Sequence, residues 1–91
     1  MKYKSFITKD FLRLFNNFPN RVKKETRKYY KLWKENPTHP SLHFKRISNN
    51  SNIYSVRIGI GWRAIGVNDD NCIIWFWIGS HSEYDTYLNQ I

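Results

Sequence analysis

The run Cys72-Ile73-Ile74-Trp75-Phe76-Trp77-Ile78 limits what this chain can fold into more than any other stretch, because nothing polar interrupts it. An unbroken apolar run of this length suits a central strand covered on both faces. Upstream, Tyr54, Val56 and Ile58 alternate with Ser55, Arg57 and Gly59, the period-two pattern of a strand with one apolar and one polar side. Gly59 and Gly61 flank Ile60 and can take positive φ, which lets a second strand, Trp62 to Val67, fold straight back. Asn68-Asp69-Asp70-Asn71 is a further turn cluster leading into the apolar run. Three consecutive antiparallel strands are predicted, one side of which carries arginines.

The segment before this sheet reads as helical. Tyr3 to Ile7 is too short to assign as strand or arm. Thr8 is a plausible N-cap, Asp10 suits a first turn, and Phe11, Leu14, Phe15 and Phe18 keep the spacing of an apolar helical stripe. Pro19 can be the first residue of a second helix, since its missing N–H would have had no helical partner. Val22, Thr26, Tyr29 and Trp33 fall on one face of that helix, and the pair is expected to form a helical hairpin. Asn36-Pro37 ends it, and Leu42 to Ile47 alternates as a further strand. The fold class expected is α+β: an N-terminal helical hairpin on an antiparallel sheet of about four strands, with a short C-terminal helix, all in one domain spanning 1–91.

A net charge of +8 over 91 residues, with 18% aromatic residues, favours a polyanionic partner, nucleic acid first. Lys24, Arg27, Lys28 and Lys31 belong to a basic strip on the second helix, read either as a solvated face or as a surface for RNA, DNA or a partner. The lone Cys72 reads as a small core residue in a reducing compartment. With neither a signal-peptide pattern nor a membrane-length apolar segment, a cytoplasmic protein is the default and no membrane partner is expected.

Chemistry concentrates at the end of the sheet. Ser80-His81-Ser82-Glu83 fits a capping box, so a third helix starts at His81 and its exposed amides would favour an anion. His81 and Tyr84, three apart, project from one face of its first turn. Either could be structural instead, Tyr84 by packing on the sheet. Arg57 and Arg63 lie on strands joined by a tight turn and could converge on one phosphodiester, a role suited to a planar fork that stays charged. Lys45 and Arg46 could extend that surface, though only one of the two can share a face with His43. Trp75 and Trp77 read as core rather than as base-stacking platforms. No Gly-rich phosphate loop and no metal-ligand spacing occurs, so neither cofactor nor metal is expected. A nuclease built on these residues would use cations to stabilise phosphate charge and the substrate's 2′-hydroxyl as nucleophile.

Phe18-Pro19, Asn36-Pro37, Ser41-Leu42, Phe44-Lys45, Tyr54-Ser55-Val56-Arg57-Ile58-Gly59, Gly61-Trp62-Arg63-Ala64 and Ile78-Gly79-Ser80-His81 with Tyr84 together resemble the RelE/ParE superfamily of bacterial toxin-antitoxin toxins, RelE/HigB-like members above all. The resemblance implies helices on a curved sheet, ribosome-dependent mRNA cleavage and inhibition by a cognate antitoxin. It places Arg63 at the scissile phosphate, Arg57 as a basic residue on the preceding strand, and Tyr84 on the 2′-hydroxyl. His81 stands where RelE has arginine and is similar to branches that use a C-terminal histidine as acid or base. Ser55 stands in place of a second strand lysine. The ParE branch implies another outcome, inhibition of DNA gyrase without cleavage, and a non-catalytic RNA-binding module is a third reading.

Overall fold

The computed structural model describes residues 3–48 and 52–90. Strand β1 (Lys4–Ile7) is followed by helices α1 (Lys9–Asn16) and α2 (Asn20–Glu35), then β2 (Lys45–Arg46), β3 (Ile53–Ile58), β4 (Trp62–Asp69), β5 (Cys72–Ser80) and helix α3 (His81–Leu88). The sheet order is β1-β5-β4-β3-β2. The predicted meander β3–β4–β5 is its centre, but there are five strands where about four were expected, and the sheet is mixed. β1 lies parallel to β5, with Lys4 beside Cys72 and Ile7 beside Trp75. Four residues carry too little periodicity to announce a strand; their pairing with β5 defines it.

Between the helices and the meander the sequence reading needs correction. Leu42 to Ile47 is not one strand. Pro40–Leu42 forms a single 3₁₀ turn, where the Nδ1 of His39 accepts from the Ser41 amide at 3.2 Å. His43 then adopts φ 44°, which breaks the extended chain and leaves only Lys45–Arg46 as strand. The turn serves packing, because it drives Leu42 to complete burial. Pro19 caps α2 from just outside, its carbonyl accepting from the Val22 and Lys23 amides at 3.0 and 3.1 Å. At the hairpin tips, Gly59 takes φ 60° while Gly61 does not take positive φ, and Asp70 and Asn71 both do, as a two-residue hairpin turn demands.

Helices α1 and α2 cover one face of the sheet. The side chain of Thr8 caps α1 by accepting from Phe11 at 3.1 Å, and Phe11 enters a core with Trp33, Leu42, Val56, Ile58, Ala64, Ile73, Trp75 and Ile78. Trp33 is 2% exposed and stands edge-on to Trp75 at 5.2 Å. Thr26, buried on the apolar side of α2, satisfies its hydroxyl on the Val22 carbonyl at 2.7 Å. The expected helical hairpin is looser than the sequence implies: α1 lies on β5, α2 reaches β3, and an apolar groove remains between them and β1.

Strand β5 is covered on both sides, as an unbroken apolar run requires, yet its two tryptophans diverge. Pairing of Gly66 with Trp75 and of Ile65 with Trp77 leaves Phe76 as an extra residue, a bulge that bends the strand. Trp75 stays in the core, 3% exposed. Trp77, also expected in the core, is half-buried on the other face, stacked on Tyr87 of α3 at 5.0 Å and 5°. Cys72 opens β5 and is partly exposed rather than interior. Among the described residues no helix is long and apolar enough to cross a membrane.

Candidate active site

In the β3–β4 pair Arg57 lies directly opposite Arg63, and Val56 opposite Ala64. Val56 and Ala64 belong to the core, so alternation puts both arginines on the face turned away from α1 and α2. Directly opposed side chains start about 4.5–5.5 Å apart at Cβ, and like charges there repel. No ion pair among the described residues reaches either arginine; the two that occur join Arg13 to Asp10 and His81 to Asp85. The guanidinium groups turn to the hairpin's own backbone instead. Arg57 Nε donates to the Gly59 carbonyl at 3.0 Å, and Arg63 Nη1 to the Trp62 carbonyl at 2.8 Å. Burial lowers the pKa of Arg63, the charge of Arg57 lowers it further, and Tyr84 and Asp85 oppose the shift. Starting from so high a value, it stays charged near neutrality. A pair of fixed cations, with no ion-pair partner among the described residues and with N–H donors to spare, is what an oxyanion needs.

The turn that carries the arginines is shaped by Gly59. A Cβ there would run into Glu25 Oε1, so the carboxylate of an α2 residue fills the place of the missing side chain. Glycine is required for its φ; the carboxylate, at the end of a flexible side chain, would have only to swing aside.

Helix α3 closes the other side of the site. Ser80 Oγ accepts from the Glu83 amide at 3.2 Å while the Ser80 amide donates to Glu83 Oε1 at 2.9 Å, which is the capping box the sequence predicts. Two of its first-turn amides are engaged, however: that of His81 donates to the Gly61 carbonyl at 2.8 Å and that of Glu83 to Ser80 Oγ, so the helix terminus has fewer donors for an anion than the sequence implies.

Over this face stand His81, exposed, and Tyr84, only 8% exposed. Their ring centroids are 6.5 Å apart, and Tyr84 lies near enough to Arg63 to act on its charge. The structure therefore brings Arg57, Arg63, Tyr84 and His81 to one end of one sheet face. It adds Asp85, whose Oδ2 is 3.6 Å from His81 Nε2 and whose charge also acts on Arg63. Asp85 was missed as a site residue, although its i, i+4 spacing from His81 was the available signal.

The other predicted residues separate. Lys45 pairs with Ser55, two positions before Arg57, and thus shares the arginine face; Arg46 pairs with Tyr54 on the opposite side and donates from Nε to the Ser48 carbonyl at 2.9 Å. Ser55 itself is buried. Lys24, Arg27, Lys28 and Lys31 are all exposed on α2, behind the sheet as seen from the arginines, and do not extend their site. Arg27 instead lies over the Phe15 ring at 5.3 Å, bridging the two helices. Among the described residues no group of His, Cys, Asp and Glu side chains could hold a metal ion.

Comparison with known proteins agrees with this architecture. A family model described as a ParE-like toxin domain matches residues 20–86. No curated protein sequence matches the chain. Among solved structures, a free-state mutant of the Escherichia coli toxin RelE is similar at TM-score 0.69 and 14% identity, covering 96% of this chain and 92% of that one. The RelB–RelE antitoxin–toxin complex of Methanococcus jannaschii gives TM-score 0.70 at 17% identity, over 90% of this chain and 96% of that one. The YoeB dimer of Staphylococcus aureus gives 0.67 at 19%, over 89% and 99%.

Proposed function

Because this chain belongs to the ParE-like toxin domain family, we propose that it is the toxin of a toxin-antitoxin pair and that it cleaves mRNA on the ribosome. The carrying observation is the direct opposition of Arg57 and Arg63 on a face closed by His81 and Tyr84. In the reaction, the 2′-oxygen of one nucleotide attacks the adjacent phosphorus and the 5′-oxygen of the next nucleotide leaves. The products are a 2′,3′-cyclic phosphate and a 5′-hydroxyl. Arg57 and Arg63 stabilise the charge that grows on the non-bridging oxygens, Tyr84 holds the 2′-hydroxyl, and His81 exchanges protons with the attacking or leaving oxygen. Lys45, on the same face, steers the RNA backbone. Solved relatives occur as complexes with RelB antitoxins, which supports a protein antitoxin as this chain's partner.

One observation favours a second reading. Tyr84 is nearly buried and its ring is 6.5 Å from Trp77, as a packing residue would be, so the fold could serve a ParE-like inhibitor of DNA gyrase that cleaves nothing. Incubating the purified protein with mRNA-programmed ribosomes and mapping the ends decides between them. Cyclic-phosphate ends that disappear in Arg63→Ala support cleavage; intact mRNA together with inhibited gyrase supports the alternative.

A further inference from the structure

The sheet face that carries Arg57 and Arg63 holds a second feature that the cleavage reaction leaves unused. Gly79 is the direct cross-strand neighbour of Arg63, and Trp77 stands two residues before it, hence on the same face and roughly 7 Å away along the strand. The Trp77 indole leans over Gly79 so closely that a Cβ there would strike it. Tyr87 stacks on this indole, with centroids 5.0 Å apart and planes 5° from parallel. That spacing is an offset stack, so part of each ring stays uncovered, and both residues are only half-buried.

The two rings form one wall of a pocket of about 370 Å³, completed by Ser82, Glu83, Thr86 and Gln90. Glu83, Thr86, Tyr87 and Gln90 keep the i, i+3, i+4, i+7 spacing of one helix side, and the Gln90 amide holds to the Tyr87 carbonyl at 3.0 Å. His81, Tyr84 and Asp85 occupy the other side of α3. Packing of the helix on the sheet accounts for the ring pair by itself, but not for the polar groups gathered around it.

Aromatic rings beside fixed cations are a means of holding single-stranded RNA, because every base offers a π face. The polar groups would then choose among bases. Glu83 commits Oε1 to the Ser80 amide, which leaves its other oxygen to accept. The Thr86 hydroxyl donates to the Ser82 carbonyl at 3.2 Å and so presents a lone pair. Acceptors of this kind favour a base with an exocyclic amine, and the Gln90 amide adds the donor and acceptor that match N7 and N6 of adenine. Uracil has no amine and would set a carbonyl oxygen against the Glu83 carboxylate. We infer that Trp77 and Tyr87 hold the base of a nucleotide flanking the scissile phosphate, and that Glu83, Thr86 and Gln90 select adenine there over uracil. This subsite rests on the reading of RNA as the substrate. A strand bound through it passes the end of the sheet with its reacting groups on the His81 side of α3 and its selected base on the other.

Trinucleotides of 2′-O-methyl RNA, which lack the attacking hydroxyl, serve as the probe: uridine at two positions and each of the four bases in turn at the third, for all three positions. Affinity for the full chain and the shift of the Trp77 indole N–H are measured. Adenine should bind about tenfold more tightly than uracil at one position above the others, and the indole should shift. Gln90→Ala, at an exposed position, should abolish that preference without moving the melting curve. Glu83→Gln, which preserves the cap but brings a donor into the pocket, should narrow it. Tyr87→Leu keeps an apolar side chain against Trp77 and should still weaken every trinucleotide about tenfold. The subsite is overturned by equal affinity for all four bases at every position, by a preference that survives in Gln90→Ala, by an unmoved Trp77 indole, or by failure of every trinucleotide to bind. If one of these results appears while programmed ribosomes yield cyclic-phosphate ends that Arg63→Ala removes, the subsite alone falls. If the preference is found and ribosome-bound mRNA stays intact, the cleavage mechanism alone falls.

Discussion

The amide of His81 donates to the carbonyl of Gly61 across 2.8 Å, so the first turn of α3 is anchored to the tip of the hairpin that carries Arg57 and Arg63. The helix and the arginines are thereby held in one frame, although they come from different elements.

That frame depends on the cap. Ser80→Ala removes the acceptor for the Glu83 amide, and loss of such a cap typically costs about 1 kcal/mol. A modest drop in melting temperature is expected, with a larger fall in mRNA cleavage because His81 and Tyr84 lose their fixed place. Equal activity at full folding would detach the cap from the chemistry.

Arg63→Ala should abolish cleavage while leaving the melting temperature unchanged or slightly raised. The substitution removes a like-charged cross-strand neighbour of Arg57, a repulsion worth roughly 0.2–1 kcal/mol. Calorimetry on Arg57→Ala, Arg63→Ala and the double variant forms the cycle that measures it. A clear loss of stability in the single variants would mean that the arginines support the fold.

His81→Gln and Tyr84→Phe should each slow cleavage of ribosome-bound mRNA by about 10²–10⁴-fold, the usual cost of losing a positioned proton carrier or its aim. Asp85→Asn should cost less, because its exposed carboxylate only borders His81, 3.6 Å away. If all three variants still arrest growth through gyrase, the cleavage mechanism is wrong.

At the turn, Gly59→Ala meets a φ of 60°, while the Glu25 carboxylate, at the end of a flexible side chain, has only to swing aside. The left-handed backbone alone costs roughly 1–2 kcal/mol with a side chain. Adding Glu25→Ala should therefore recover little, as denaturant titrations of the single and double variants would show. Full recovery would mean that φ is not the constraint.

Reversing charge at Lys24, Lys28 and Lys31 tests the basic face of α2. If it contacts ribosomal RNA, the variant should bind ribosomes more weakly and with a shallower dependence on salt, while single-turnover cleavage of already bound mRNA holds. Unchanged affinity and slope would return these lysines to solvent.

What the residues disclosed follows from how local each signal was. The meander was legible because alternation, turn residues and one apolar run agree over adjacent segments. The pairing of Arg57 with Arg63 was nearly legible, since a tight turn between two strands leaves few registers. β1 was not, because its four residues acquire meaning only beside β5, distant in sequence. Trp77 was misplaced because one bulge residue, Phe76, reverses the face of everything after it, and a uniformly apolar run conceals such a slip. The strand expected from Leu42 was lost to a backbone event, the left-handed His43, that alternation of side chains does not report.

The parallel pairing of Lys4 with Cys72 sets an order of assembly. The β3–β4–β5 meander closes through short loops and can form as soon as its own residues are available, but β1 must wait for β5, distant from it in sequence. Contacts of such long sequence separation are slow to form, so a nascent chain would carry Phe6 and Ile7 unpaired until β5 has been made.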